Sequence, residues 1–173
     1  MPDATELELT AQELRDADSE SVLDTEFYRG RAVLVANPTK IRAVLEHLRG
    51  KGYTFLASLH GVDYYPEEPR LGVLYELLDM SRVDRISVKL RVSSQAPEVD
   101  SAVPETPGDS GWPTAIHQER EVYDMFGVVF RGHPDLRRIL MPQEYTSFPL
   151  RKDYPLRGHG ERHNFPVITR AES

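Results

Sequence analysis

Two short apolar segments open the regular part of the chain. Residues Ser21–Phe27 and Ala32–Ala36 contain mainly aliphatic, β-branched and aromatic side chains, and Arg29-Gly30-Arg31 between them is a turn signal. This pattern predicts two strands joined by a tight connection. Residues 1–20 are polar and acidic instead, and we expect them to form a tail that is either a frayed helix or disordered.

A helical period follows the second predicted strand. Asn37 and Pro38 fit the N-cap and the first turn of a helix. The glycines at 50 and 52 mark its end. Between these signals the apolar residues recur at helical spacing, at Ile41, Val44, Leu45 and Leu48.

Three more strand-like segments occupy Tyr53–Val62, Gly72–Leu78 and Arg85–Val92. In the third, apolar and polar side chains alternate, as expected for a strand with one buried face. Residues Ser93–Gly111 are rich in Pro, Ser, Gly and acids and have no period, which predicts a loop.

The last regular elements lie between residues 114 and 140. Thr114–Phe126 predicts a helix, Gly127 suits the left-handed position after its end, and Val128–Phe130 predicts a short extended segment. Gly132-His133-Pro134 predicts a rigid turn, and Leu136–Leu140 about one helical turn. Together, residues 21–140 predict an α+β domain with a small mixed sheet and packed helices. An extended, irregular arm at 141–173 should follow.

Length, charge and composition narrow the function classes. A chain of 173 residues predicts one domain with tails, and a net charge of -7 argues against nucleic acid as a partner. The absence of cysteine excludes disulfides, CxxC zinc sites and cysteine-ligated iron–sulfur clusters in this chain. No apolar run approaches the ~20 residues that span a bilayer, and the acidic N-terminus is unlike a signal peptide. We expect a protein that is cytosolic or held on a membrane by another protein.

The charged helix near residue 120 offers acid–base groups, but their spacing argues against catalysis. Glu119, Glu121 and Asp124 do not place two carboxylates side by side on one face. Arg120 and Asp124 are four residues apart, which predicts an ion pair between them. We interpret this segment as a polar network that orients the helix against its neighbours. One alternative stays open, a metalloenzyme site that uses His60, Asp63, His117 and His133.

Three aromatic-proline-aliphatic triplets characterise the arm, at 148–150, 154–156 and 165–167. Each aromatic side chain can bury ~150–250 Å², an unusually large apolar exposure if it were left in water. Basic residues are concentrated between residues 131 and 163, whereas residues 1–30 are acidic. We therefore predict that the arm binds an acidic protein face, and that Phe148, Arg151 and Tyr154 lose most of their exposure only in the assembled complex. Folding of the arm onto its own domain is the alternative.

Residues 119–155 also resemble a known family. The segment is similar to the signature of the thirty-kilodalton subunit family of NADH:quinone oxidoreductase (respiratory complex I). The residues that carry the resemblance, and that it marks as a partner interface, are Glu119, Arg120, Glu121, Tyr123, Asp124, Phe126, Gly127, Gly132, His133, Pro134, Asp135, Arg137, Arg138, Phe148, Pro149, Leu150, Arg151, Lys152, Asp153, Tyr154 and Pro155.

The resemblance implies a peripheral-arm subunit on the cytoplasmic side of a bacterial membrane. It implies contacts with two other complex I subunits, the one that forms the quinone pocket and the small iron–sulfur subunit. It also implies that FMN, iron–sulfur clusters and quinone lie in other subunits of the proton-pumping complex, and that this chain holds no cofactor and no catalytic residue. Homologous subunits of membrane-bound hydrogenase or F420-type complexes are an alternative, and so is a free-standing adaptor of acidic proteins.

Overall fold

The strands predicted between residues 21 and 92 assemble into one five-stranded mixed sheet in the computed structural model, which describes residues 3–104 and 111–159. Within these residues, three helices and two further short strands accompany the sheet. In chain order the elements are α1 (Ala4–Ala17), β1 (Val22–Tyr28), β2 (Arg31–Ala36), a 3-10 turn (Pro38–Lys40), α2 (Ile41–Gly50), β3 (Phe55–Asp63), β4 (Leu71–Asp79), β5 (Asp84–Val92), β6 (Glu98–Asp100), α3 (Ala115–Phe126) and β7 (Val129–Arg131).

The sheet has the strand order β1-β2-β5-β4-β3. Strands β2 and β5 pair in parallel, and the other neighbours are antiparallel. The predicted α+β class with a small mixed sheet is therefore confirmed. All three helices share one hydrophobic core with the sheet, and the predicted stripe of α2 is fully buried in it.

Helix α1 replaces the tail expected at residues 1–20. Asp3 caps it by accepting a 2.8 Å hydrogen bond from the amide of Glu6. Leu7, Ala11 and Leu14 lie one helical turn apart and are buried in the core. Of the two alternatives expected here, a helix is therefore found and disorder is wrong for Ala4–Ala17. The helix is docked rather than frayed, because a stripe of three apolar residues is enough to pack it on the sheet.

The loop predicted at 93–111 contains a strand that the sequence did not indicate. Residues of β6 pair in parallel with β7, with Val99 opposite Phe130, and both of these side chains are buried. This pairing holds the segment before α3 against the segment after it. The predicted extended segment at 128–130 is confirmed at residues 129 and 130, where β7 begins.

From residue 141 to residue 159 the chain forms turns and bends, as the prediction of an irregular arm requires. It does not project away from the domain, however, because Leu150 and Arg151 both bond to backbone carbonyls at the end of α3. The third triplet, 165–167, lies outside the described residues. None of the described helices combines the length and apolarity needed to cross a membrane.

Candidate functional site

Helix α3 places one acid of the charged cluster deep in the core. The carboxylate of Glu119 accepts hydrogen bonds from the Ser101 hydroxyl (2.6 Å) and from the Ala102 amide (2.7 Å). Burial raises the pKa of Glu119 to about 7, and these two hydrogen bonds only partly oppose the shift. Glu121, two residues later, is exposed. The two carboxylates therefore point away from each other, as their spacing predicts.

Asp124 organises the chain that leaves β7. Its carboxylate accepts a 2.6 Å hydrogen bond from Nη1 of Arg138, and both side chains are buried. It also accepts from the amides of residues 139, 140 and 141 at 3.1, 2.7 and 2.8 Å. Burial alone would raise the pKa of Asp124, but these donors outweigh it and hold the pKa below its ordinary value.

Two local predictions about this segment were wrong. Arg120 does not pair with Asp124; it donates to the carbonyls of Arg137 and Arg138, each at 3.1 Å. Residues 136–140 do not form a helical turn. The amides of 139–141 point at the Asp124 carboxylate, and this contact replaces the hydrogen bonds that a helical turn would make.

The Gly132-His133-Pro134 turn is fixed to the start of α3. Gly132 has a φ of +79°, a conformation that glycine adopts at little cost. The amide of Asp135 donates to Nδ1 of His133 at 3.0 Å, so the ring proton lies on Nε2, which bonds to the carbonyl of Ile116 at 3.0 Å. Burial lowers the pKa of His133, which keeps the ring neutral.

Phe148 lies over the glycine that ends α3. Gly127 has a φ of +77°, and a Cβ atom there would come within 2.6 Å of the Phe148 ring. The guanidinium groups of Arg138 and Arg151 stack on the same ring, 5.3 and 4.6 Å from its centroid. Arg151 also donates from Nε to the carbonyl of Phe126 at 2.6 Å.

An ion-pair cluster attaches the arm to the connection between β3 and β4. Arg70, between β3 and β4, donates to both oxygens of Asp63 at 2.8 and 2.7 Å and to both oxygens of Asp153 at 2.8 and 2.7 Å. The amide of Lys152 donates to Asp63 at 2.6 Å. These bonds hold the pKa of Asp63 well below its ordinary value, with Arg70 as the largest cause. No local pattern indicated this role for Arg70, because its partners are up to 83 residues away.

The arm is therefore packed on its own domain further than we predicted. Phe148, Arg151 and Tyr154 are each already half-buried in the isolated chain, so part of their surface is covered without a partner. The hydroxyls of Tyr145 and Tyr154 lie 2.5 Å apart. The other predicted interface residues lie where α3 meets the arm, which we call the junction of α3 and the arm. Here Tyr123, Phe126 and Pro149 are half-buried, and Pro134 and Pro155 are exposed.

The ligands required by the metalloenzyme alternative are not brought together. Asp63 is bound to Arg70, and both ring nitrogens of His133 have backbone partners. Within residues 3–104 and 111–159, no three His, Cys, Asp or Glu side chains are grouped so that they could hold a metal ion. The junction of α3 and the arm instead forms a surface whose shape is fixed by buried polar contacts.

Sequence comparison assigns this junction to a family. The family described as "Respiratory-chain NADH dehydrogenase, 30 Kd subunit" matches residues 34–160, which include the whole site. The chain belongs to this family. Relatives similar to it include the corresponding NADH-quinone oxidoreductase subunit of Roseiflexus sp. (strain RS-1), 39% identical over 148 residues that cover 84% of this chain and 82% of the relative. The corresponding subunit of Roseiflexus castenholzii is 42% identical over 146 residues, which cover 83% of this chain and 80% of the relative.

One solved structure agrees with membership of the 30-kilodalton subunit family, and a second shares its fold. The structure titled "Nqo5 of the trypsin-resistant fragment (1-134)" superposes with a TM-score of 0.63 and 30% identity, covering 75% of this chain and 98% of that one. A chain of the membrane-bound sulfane sulfur reductase, an archaeal respiratory membrane complex, has the same fold with a TM-score of 0.69. At 21% identity over 94% of this chain and 93% of that one, the second likeness concerns the fold alone.

Proposed function

We propose that this chain is a cofactor-free structural subunit of a proton-pumping NADH:quinone oxidoreductase, in its peripheral arm on the cytoplasmic side of the membrane. Electron transfer from NADH through FMN and iron–sulfur clusters to quinone then takes place in other subunits. The chain supports that transfer by holding its neighbours in place.

One observation carries the proposal. The buried ionisable side chains of the family segment, Glu119, Asp124 and Arg138, are all bonded to groups within the chain. A catalytic acid or base must reach a proton on a substrate. Groups whose bonding capacity is met inside the core fit a positioning role better than a chemical one.

Membership of the family and the position of the arm support a choice of partners. We propose contacts with the subunit that forms the quinone pocket and with the small iron–sulfur subunit, made by the junction of α3 and the arm. A surface held by buried polar contacts loses little conformational freedom when a partner binds, which favours stable assembly.

Isolation of the intact complex tests the proposal. An affinity tag is added to the N-terminus of the chain, ahead of Asp3, which caps α1. Membranes are then solubilised in a mild detergent. We expect the tagged chain to bring with it the other subunits and an NADH:quinone reductase activity, and deletion of its gene to abolish that activity. Recovery of the chain alone, or with a complex that oxidises hydrogen or reduced F420 but not NADH, would contradict it.

A further inference from the structure

Two tyrosines of the arm meet through their hydroxyl groups. The hydroxyl oxygens of Tyr145 and Tyr154 lie 2.5 Å apart, at the short end of the range for a hydrogen bond between hydroxyls. All eight tyrosines of the chain lie within residues 3–104 and 111–159, and in this part of the chain the hydroxyls of one pair alone are bonded to each other. Oxidised phenols couple to each other, so the pair has a reactivity that an isolated tyrosine lacks.

Contacts with the domain hold both tyrosines in place. The guanidinium of the buried Arg138 lies 5.6 Å from the centroid of the Tyr145 ring. The amide of Tyr154 donates to the carbonyl of Arg151 at 2.9 Å, and Arg151 is itself bonded to the carbonyl of Phe126 at the end of α3. The fold therefore brings the two phenols together, and a reaction between them gains the rate advantage of an intramolecular step.

Few other side chains of this protein compete for a one-electron oxidant. The chain has no cysteine, whose thiolate is oxidised readily in other proteins. Its one tryptophan, Trp112, is 4% exposed, and the guanidinium of Arg49 lies 5.5 Å from the centroid of its ring. Tyr145 and Tyr154 are only half-buried, so part of each ring can transfer an electron to an oxidant in solution.

We propose that Tyr145 and Tyr154 form an oxidative modification site, at which a one-electron oxidant joins the two rings by a carbon–carbon bond. The oxidant is hydrogen peroxide activated by a haem peroxidase. The site is independent of the proposed function, because the reaction requires only the folded chain and the oxidant. The product closes residues 145–154 into a covalent loop, which contains the Phe148 ring that lies over Gly127.

The coupling balances as a loss of two electrons and two protons. Each phenol gives one electron to the oxidant and its hydroxyl proton to water, which leaves a phenoxyl radical with spin on the ring carbons ortho to the oxygen. One such carbon (Cε) of each ring forms the new bond, and the short distance between the oxygens brings these carbons near each other. The hydrogen on each bonded carbon then moves as a proton to the phenol oxygen, which restores both aromatic rings. Hydrogen peroxide takes up two electrons and two protons and becomes two molecules of water.

Peptide mapping of the oxidised full-length chain tests the site. The purified chain is treated with a haem peroxidase and hydrogen peroxide, digested with trypsin and analysed by mass spectrometry. Cleavage at the basic residues of the arm separates residues 139–151 from residues 153–157, and each of these peptides contains one tyrosine. We expect the two peptides to be joined, with a mass lower by two hydrogen atoms than their sum, in a chain that still migrates as a monomer. The yield should not fall when the chain is diluted, because the reaction is intramolecular.

Matched variants identify the reacting side chains. Tyr145→Phe and Tyr154→Phe each keep the ring but cannot form a phenoxyl radical, and each should abolish the joined peptides. Tyr28→Phe is the control, because Tyr28 is 67% exposed and has the guanidinium of Arg29 5.0 Å from its ring centroid, but its hydroxyl is not bonded to another tyrosine of the described residues. This variant should give the wild-type yield.

A synthetic peptide of residues 139–157 shows whether the fold builds the site. It contains the same two tyrosines without the domain that positions them, so we expect its intramolecular coupling to be about tenfold lower than that of the folded chain. Equal coupling in the peptide and the chain would overturn the inference, and so would oxidation of the chain that yields only dimers joined through other tyrosines. Neither result bears on assembly of the chain into a complex, so the proposed function is tested separately.

Discussion

The hydroxyl of Ser101 donates a 2.6 Å hydrogen bond to Oε2 of Glu119, inside a core where the Glu119 side chain has no exposed surface. The fully buried Tyr75 and the nearby Asp100 are the titratable groups that share this environment. The pKa of Glu119 is set by burial and by two hydrogen-bond donors, and no basic side chain of residues 3–104 or 111–159 is among its causes. The carboxyl group is therefore held in the core without a countercharge.

The first prediction concerns the pH dependence of stability. The pKa of Glu119 is about 7 in the folded chain against an ordinary 4.5, so the folded state keeps a proton that the unfolded state has released between these pH values. The free energy of unfolding should therefore be highest below pH ~4.5 and fall by about 3 kcal/mol, from this group, as the pH rises to ~7. Glu119→Gln should remove that decline.

Urea unfolding at pH 5, 6, 7 and 8 measures this pH dependence of the free energy of unfolding. Glu121→Gln is the matched control, because Glu121 lies exposed on the same helix and should leave the slope unchanged. If Glu119→Gln and the wild type lose stability in parallel across this range, the buried carboxyl is not the titrating group.

The second prediction concerns Asp124. Asp124→Asn removes the countercharge of Arg138, which is only 8% exposed, and weakens the acceptor for three amides. A buried charge left without a partner costs about 3 kcal/mol or more, and we expect that loss in the free energy of unfolding. Asp135→Asn is the control: Asp135 also bonds to an arginine, at 3.0 Å, but its side chain is 46% exposed. Its loss should cost less than about 1 kcal/mol.

Equal destabilisation by the two variants, in chemical unfolding at pH 7, would contradict this role of Asp124. It would mean that the arm beyond Arg138 is held by something other than the Asp124 carboxylate.

Local patterns were sufficient for the elements whose signals lie within one segment. The apolar stripe of α2 and the alternation in β5 predicted both elements because burial imposes a period on neighbouring residues. Helix α1 could not be told from a disordered tail because acids surround its three buried apolar residues. Strand β6 was missed because three residues are too few to show a period. Its partner strand is 31 residues further on, at Glu98 opposite Val129.

The candidate site divides in the same way. The resemblance named Asp124, Arg138 and Phe148 but not Arg70, Asp63 or Ser101, and their role as a partner interface stays a prediction. The spacing of Glu119 and Glu121 argued against a pair of carboxylates on one face, and Glu119 is buried whereas Glu121 is exposed. Which residue each charge binds could not be predicted from the chain, because Arg138 bonds 14 residues back and Arg70 bonds 83 residues ahead. The local pairing rule selected Arg120 for Asp124, but Arg138 fits because it reaches the same carboxylate from within the core.

The third prediction compares the two carboxylates bound to Arg70. The Asp63 side chain is 2% exposed and accepts two further amide hydrogen bonds, whereas that of Asp153 is 51% exposed. Asp63→Asn should therefore cost about 3 kcal/mol of stability, and Asp153→Asn about 1 kcal/mol or less. Because the pKa of Asp63 is lowered in the folded state, its contribution is present above its ordinary value of 3.8 and lost as the pH falls through the lowered pKa.

Acid unfolding followed by circular dichroism measures this difference. The Asp63→Asn protein should lose less additional stability than the wild type when the pH is reduced below ~4, since the group that must be protonated is gone. A steeper loss in the variant than in the wild type would contradict it.

The fourth prediction concerns a valine in a left-handed backbone conformation. Val83, in the connection between β4 and β5, has a φ of +53° and is 85% exposed. A left-handed conformation costs an L-residue roughly 1–2 kcal/mol, and a β-branched side chain is especially unfavourable there. Glycine avoids that cost but loses more conformational freedom on folding, so Val83→Gly should raise the free energy of unfolding by about 1 kcal/mol.

Val83→Ala is the matched control for this prediction. It removes the same exposed methyl groups but keeps the Cβ atom, so its free energy of unfolding should rise much less. Thermal and urea unfolding measure the stability of both variants. If the alanine variant is stabilised as much as the glycine variant, the cost at this position comes from side-chain exposure and not from backbone strain.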